Sequence, residues 1–429
     1  MVPASNATWD NYAMLEERLA ALEEAAKAQK SESGSGSSKP TLKVSGRVHF
    51  DYWPIGSESP LANYLETGDA ANGPEDLIGF RRLRFGVAGD INETMEYKIE
   101  MEFAVPREPA IKDAYLGWNE LPVLQTVLLG NQKRPYGLDH LNSSRYNVFM
   151  ERPYVVEAYN QDARRIGLCS YGVSKNEAWN WRYGVFTMED LQFLGGQRKD
   201  KYELEIAGRL ANTIWYDESS DGRGYAHWAV SGSAAFPNSG PTARFQTRPE
   251  ARTGKKWFDT DVMAGAEDYQ LLGLEGVINL GAFSIVGEYM ASHVNRVDGN
   301  PDVDFGGGYV YVAYFLTGEH TPWERHSGTL GRTKPFENFF LVRRCEGGLG
   351  HGWGAWQVAA RYSHGDFSDG DIFGGVGDSF TLGLNWWWNP NARMQFNYIH
   401  GSIDDRIAAD APATSGDYDI FGTRLMVDF

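Results

Sequence analysis

Tyr418-Asp419-Ile420-Phe421-Gly422-Thr423-Arg424-Leu425-Met426-Val427-Asp428-Phe429 is the stretch whose reading decides the fold. Phe421, Thr423, Leu425, Val427 and Phe429 fall on one side of a period of two, with Gly422, Arg424, Met426 and Asp428 on the other. That alternation is a β-strand with one apolar and one polar face. A chain that stops on the apolar side of such a strand suggests a sheet closed on itself, which leaves no edge.

The same period recurs through most of the chain after residue 40. Leu42, Val44, Val48, Phe50 and Tyr52 oppose Lys43, Ser45, Arg47, His49 and Asp51. Leu83, Phe85, Val87 and Ile91 oppose Arg82, Arg84 and Asp90, and Met95, Tyr97, Ile99, Met101 and Phe103 oppose Glu96, Lys98, Glu100 and Glu102. Charge on one face beside a continuous apolar face is what a wet lumen and a lipid exterior require. Further segments at 112–119, 125–132, 163–172, 178–188, 201–211, 224–236, 267–279, 281–292, 307–318, 353–363, 378–388, 392–400 and 418–429 bring the count to sixteen. The fold class expected is all-β, a sixteen-stranded antiparallel transmembrane β-barrel over 41–429, wide enough for an aqueous channel.

Composition agrees. The chain has 429 residues and a formal net charge of -17, with a mean hydropathy of -0.44. It contains no apolar run of about 18 residues, so no membrane-spanning helix is available; a barrel spreads its lipid contact over short alternating strands instead. The 14 Trp and 22 Tyr suit aromatic girdles at two membrane interfaces, although a soluble sandwich with a carbohydrate-binding face would use aromatics too. Cys169 and Cys345 do not form a metal motif, and a disulfide between them is left open. No cofactor, metal or nucleic-acid partner is called for. Residues 1–9 lack a basic region and an apolar core, so the leader that an outer-membrane location needs is expected to have been removed.

The N-terminus is a different object. Tyr12, Leu15, Leu19, Leu22 and Ala26 repeat at coiled-coil spacing behind Asp10 as N-cap, predicting a short amphipathic or coiled-coil helix within 1–30. So short a helix is marginal alone, which points to association with its own copies or with the barrel mouth. Ser31 to Ser38 opens a flexible linker over 31–40.

Trp386-Trp387-Trp388 running into Asn389-Pro390-Asn391 reads as a tight turn beneath an aromatic belt. The longer polar connections, 53–78, 237–262, 293–305, 319–352 and 401–417, are expected together at the opposite end, outside the cell. The segment 133–162 is too broken for a lipid-facing strand and carries charge and short polar groups. It is the candidate for a loop folded inward to narrow the pore.

On the face opposite lipid lie Arg47, Arg82, Arg84, Arg165, Arg182, Arg209, Arg361 and Arg424. Guanidinium groups stay charged and present several donors, so spaced arginines can pass an anion, phosphate included, between shallow sites. Asp51, Glu96, Glu100, Glu102, Asp113, Glu203, Glu205, Glu275 and Glu288 share that face, and paired charges shape a pore without selecting anything. The net charge of -17 disfavours anions unless the acids lie away from the pore field. Anion preference and a general or cation-tolerant pore are both compatible with these residues.

Several ordered blocks resemble one known family. They are Gly79-Phe80-Arg81-Arg82-Leu83-Arg84-Phe85-Gly86-Val87-Ala88-Gly89-Asp90, Asp113-Ala114-Tyr115-Leu116-Gly117 and Gly130-Asn131-Gln132-Lys133-Arg134-Pro135-Tyr136-Gly137-Leu138. Phe149-Met150-Glu151-Arg152, Arg164-Arg165-Ile166-Gly167-Leu168, Tyr314-Phe315-Leu316-Thr317-Gly318-Glu319 and Leu382-Gly383-Leu384-Asn385-Trp386 continue the series. Over residues 41–429 the chain resembles the phosphate-selective porins of the O and P type. The resemblance implies a trimeric outer-membrane channel with an inward constriction loop, a periplasmic N-terminal coiled segment, and basic residues at a central binding region. Lys133, Arg134, Arg145 and Arg152 are the positions it marks here, and it implies an insertion signal in Phe429. The acidic balance and the few lysines in the loop depart from the family pattern, so the resemblance speaks for a channel before it speaks for phosphate.

Two rivals belong to other classes. Asp139, His140, Ser143 and Ser144 are close in sequence, but a catalytic triad is built in space, and no enzyme activity is expected. The other rival is a mainly structural barrel whose N-terminal helix contacts a periplasmic or cell-wall partner.

Overall fold

The computed structural model describes residues 40–56, 58–105, 108–160, 163–188, 192, 203–237, 242–343 and 347–429. The predicted N-terminal helix lies outside the described residues, as does Cys345. Among those described, sixteen strands pair in chain order and close when the first meets the last. They are β1 Lys43–Trp53, β2 Leu77–Asn92, β3 Met95–Glu102, β4 Ala110–Leu121, β5 Gln125–Gln132, β6 Arg165–Val173, β7 Trp179–Thr187 and β8 Leu204–Tyr216, then β9 Gly224–Phe236, β10 Ala266–Leu280, β11 Phe283–Arg296, β12 Val303–Phe315, β13 Ala355–Asp369, β14 Ile372–Asn389, β15 Ala392–Arg406 and β16 Gly416–Asp428. The closure pairs Arg47 with Asp428 and Asp51 with Arg424.

Alternation sets the faces as expected. In β16, Phe421 and Val427 are exposed on the outer wall while Arg424 and Met426 are buried inside. Every predicted strand is found. Several run further at one end: β13 and β14 are joined by Gly370 and Asp371 alone, and β11 and β12 by 297–302. Those extensions alternate too, with Val294, Val303, Phe305 and Phe367 buried inside, but the glycines and charged residues between them make the apolar series too short to read as strand from the sequence.

One expectation is corrected. Antiparallel strands alternate direction, so the connection after β12 emerges at the same end as the turn Pro390-Asn391 after β14. The long segment 316–354 is therefore at the short-turn end, not with the other long connections. Part of it re-enters the barrel. Trp323 stacks on Tyr225 at 5.3 Å and donates its indole N–H to Thr213 at 3.0 Å. The Leu330 N–H reaches the Asn142 side chain at 3.0 Å.

Segment 133–160 also lies inside the barrel. It contains the short helices α2 Leu138–Leu141 and α3 Tyr154–Tyr159, which follow α1 Pro60–Thr67 in the first long connection. Wall groups hold its backbone: Glu288 on β11 accepts the Leu138 and Asp139 N–H groups at 2.6 and 2.7 Å, capping α2. Gln395 and Asn385 donate to the Val148 carbonyl, each at 3.0 Å. Backbone groups removed from water need such partners.

These inserted segments and the β9–β16 wall share one apolar core, including Trp53, Tyr154, Tyr159, Trp257, Phe258, Tyr311 and Phe367. Lumen-facing glycines make room for it. A Cβ on Gly377 would sit 2.5 Å from the Phe258 ring, and one on Gly422 2.5 Å from the Trp53 ring.

Candidate solute-binding cavity

The lumen that remains open lies on the β1–β7 side. A cavity of about 450 Å³ is bounded by these strands and by 133–164, and eleven Arg or Lys side chains line it against the carboxylates Asp113, Glu151 and Glu157. Seven of the twelve predicted site residues are among its walls: Arg47, Arg82, Arg84, Lys133, Arg145, Arg152 and Arg182.

Most of those cations are already engaged. Arg47 donates to Glu100 at 3.0 Å and to the Ser144 hydroxyl at 2.9 Å. Arg84 bridges Glu102 at 2.7 Å and Glu100 at 3.0 Å. Arg145 meets Asp428 at 2.8 Å, and Arg152 meets Asp139 at 3.0 Å. A cation with a bonded carboxylate attracts a passing anion far less than a bare one.

Three depart from that pattern. Arg82, only 4% exposed, touches His49 at 3.3 Å; its Nε–H is buried without a partner, and no carboxylate among the described residues pairs with it. Arg182 lies over the Tyr171 ring at 4.8 Å and donates to the Ser327 carbonyl at 3.0 Å, again without a carboxylate. Lys133 donates to the carbonyls of His140, Leu141 and Asn142 at 2.7, 3.0 and 2.9 Å. Burial, with Arg164 and Arg152 adding to it, pushes the Lys133 ammonium well below its ordinary value. Three carbonyl acceptors oppose that push, because a neutral amine has only two N–H groups to give.

The other five predicted residues stand apart from the cavity. Arg134 and Arg165 share Glu205 at 2.6 and 2.5 Å, and Arg209 pairs with Glu275 while donating to the Gly328 carbonyl at 2.9 Å. Arg361 pairs with Glu250 at 2.7 Å and holds the Glu151 carbonyl at 3.1 Å. Arg424 binds Asp51 and Glu151, each at 2.6 Å, and the Met150 carbonyl. Period-two patterning places a side chain inside the barrel, but not on the open side of an inserted loop. Arg361, Arg424 and Arg209 are staples between wall and insertion.

The predicted site residues left out Arg81, Lys98, Lys112 and Arg164, which also line the cavity, although the alternation had put Lys98 on the charged face of its strand. Arg81 escaped through a β-bulge: His49 pairs with Arg82 but Phe50 with Phe80, so Arg81 is the extra residue. It forms a bidentate pair with Glu151 at 2.7 and 2.9 Å. Burial pushes the Glu151 carboxyl up, but Arg81 and Arg424 outweigh it and hold the group well below the usual carboxylate range. The adjacent arginines in Gly79 to Asp90 were the available signal.

Acidic groups concentrate elsewhere. Asp298, Asp302, Asp304, Asp366, Asp369, Asp404, Asp405 and Asp410 lie at the long-connection end of β11–β16 and do not line the cavity.

The model of the family described as phosphate-selective porin O and P matches residues 61–429. The chain belongs to that family. A Caulobacter vibrioides protein is 26% identical over 407 residues, covering 91% of this chain and 74% of its own length. Porin O of Pseudomonas aeruginosa is 29% identical over 174 residues, or 38% of this chain and 36% of that one. Among solved structures, the outer-membrane channel DcaP of Acinetobacter baumannii superposes with a TM-score of 0.54 at 12% identity, covering 92% of this chain and 98% of its own. The trimer form of OmpT from Vibrio cholerae also gives 0.54 at 12% identity, covering 91% and 100%. At those identities the likeness is one of fold. Family and fold together make the chain an outer-membrane porin barrel, a channel.

Proposed function

We propose that this porin passes small hydrophilic anions, inorganic phosphate among them, through the open β1–β7 side of its lumen. The observation that carries the reading is the cavity lining, eleven basic side chains facing three carboxylates, with neither Arg82 nor Arg182 bonded to a carboxylate among the described residues. Guanidinium groups bind phosphate oxygens in pairs, and a low-dielectric wall focuses their field. Segment 133–162 acts as the constriction, with Arg47, Arg82, Arg84 and Arg145 around it and Ser143 and Ser144 adding neutral donors or acceptors.

Many of the acids that give the chain its charge of -17 lie at the long-connection end of β11–β16 and are not among the cavity's walls, and salt weakens the pull of distant charges on the pore. A homotrimer in the outer membrane, with the long connections outside and the N-terminal helix in the periplasm as a stem or partner contact, completes the proposal. The ion pairs at Arg47, Arg84, Arg145 and Arg152 favour a second reading, a general or cation-tolerant porin.

Planar-bilayer recording decides between them. Anion preference in a KCl gradient, with chloride current reduced by added phosphate, is expected. Cation preference would sink the anion reading and leave the porin intact.

A further inference from the structure

The segment after β12 does more than enter the lumen. After residue 335 it runs out to the barrel's outer wall as a β-hairpin, Phe340–Arg343 paired with Leu349–Gly352. Its contact with the barrel is aromatic and specific. Phe339 packs edge-on against Trp386 at 4.5 Å and its N–H bonds the Trp388 carbonyl at 2.6 Å. Trp386 and Trp388 alternate with the buried Asn385 and Trp387 in β14, so they face outward at its turn end. Trp386 also stacks on Trp356 of β13 at 4.8 Å, and the two indoles donate to one acceptor, the Trp353 carbonyl, at 2.9 and 3.0 Å.

The hairpin is thus tied to the aromatic girdle by which the barrel meets the membrane–water boundary. Having docked there, it leaves large apolar side chains uncovered: Phe340 is 56% exposed, Leu341 51%, Leu349 66% and Trp353 77%. Only four residues of each strand pair, and a two-stranded ribbon of that size has too little apolar contact to hold its shape in water. Uncovered rings and leucines beside a girdle match the chemistry of the lipid interface, where indole and aliphatic groups are favoured.

We propose that the hairpin around Phe340 and Leu349 is an interfacial membrane anchor, which inserts its exposed apolar side chains among phospholipid headgroups and upper acyl chains at the turn end of the barrel. The occupant of this face is lipid because the face continues the barrel's own lipid contact without a break. In that position the hairpin pins the outer part of 316–354 to the membrane while the part around Trp323 stays in the lumen.

A nitroxide at position 341 tests this in full-length protein reconstituted in phosphatidylcholine vesicles, using Leu341→Cys in a Cys169→Ser, Cys345→Ser background. Labels at the lipid-facing Val312 and at the loop residue Asp410 serve as references. The expected result is high collision with oxygen and low collision with a water-soluble nickel chelate at 341, as at 312. Adding Phe340→Ser and Trp353→Ser, both at exposed positions, is expected to shift the 341 label toward the pattern seen at 410. Nickel accessibility at 341 equal to that at 410 in the parent would overturn the proposal. So would spin–spin broadening that vanishes on dilution with unlabelled chain, because a second copy would then cover the face.

Discussion

The two sides of this lumen are built from the same alternating strands and do opposite things. Along β9–β16 the inward face carries glycine, serine and aromatic residues beside buried, paired charges such as Glu288, Arg361 and Arg424, and the inserted loops pack their apolar side chains onto it. Along β1–β7 the inward face carries charge, wall and loop meet through polar pairs such as Arg47 with Ser144 and Arg81 with Glu151, and a cavity of about 450 Å³ remains. The difference lies in what each wall offers an incoming loop. A wall of small residues accepts rings and buries area worth roughly 25 cal/mol per Å², whereas a wall of arginines and carboxylates keeps its water unless every charge is paired.

The arginines follow the same division. On the filled side Arg361 and Arg424 serve the fold: each joins a buried carboxylate to a loop carbonyl. On the open side Arg82 reaches the buried His49 ring, its Nε–H has no partner, and no carboxylate among the described residues bonds it. A buried cation without a bonded carboxylate costs stability, and a place on the proposed anion route would account for it.

Substitutions separate the two sides. The largest effect on stability is expected from Arg361→Ala, which strands Glu250, a side chain with 0% exposure. A loss of about 3–5 kcal/mol follows from breaking a buried pair, read by urea unfolding in detergent, with reversal potential unchanged wherever the protein stays folded. A collapse of selectivity at full stability would break the division. Glu151→Gln weakens the ties to Arg81 and Arg424 and is expected to cost about 2–3 kcal/mol near neutral pH. The pKa of Glu151 is depressed in the fold, so its contribution is complete above the unfolded value of about 4.3 and fades as pH falls through the lower folded one. The stability gap between the two proteins should stay constant from pH 7 to about 5 and narrow only below about 4; a gap that closes above pH 5 would show the ion pairs are not formed. Gly377→Val crowds the Phe258 ring and is expected to cost about 1–2 kcal/mol, read as a lowered midpoint without a change in ion preference. Smallest in stability is Arg82→Met, expected to be neutral or stabilising within about 1 kcal/mol while anion preference falls.

How much of this was legible in the sequence depends on which physical signal each part leaves. Period-two patterning is local, so all sixteen strands and the faces of Arg47, Arg82 and Arg424 could be read from it. The broken pattern of 133–162 shows in the sequence alone that this segment cannot face lipid. The pairing of Arg361 with Glu250, 111 residues apart in sequence, leaves no local trace. Nor does the fate of 316–354, because a polar connection looks the same at either end of a barrel. Arg81 was hidden by a bulge, which breaks the very period used to assign inward and outward.

The central claim is that unpaired cations on the open side select the solute. Reversal potential across a KCl gradient, compared between the native protein and Arg82→Ala, tests it most directly. The account predicts anion preference in the native channel and a clear shift toward zero or cation preference in the variant, with conductance retained. A native channel that prefers cations, or a reversal potential that Arg82→Ala leaves unmoved, would contradict it.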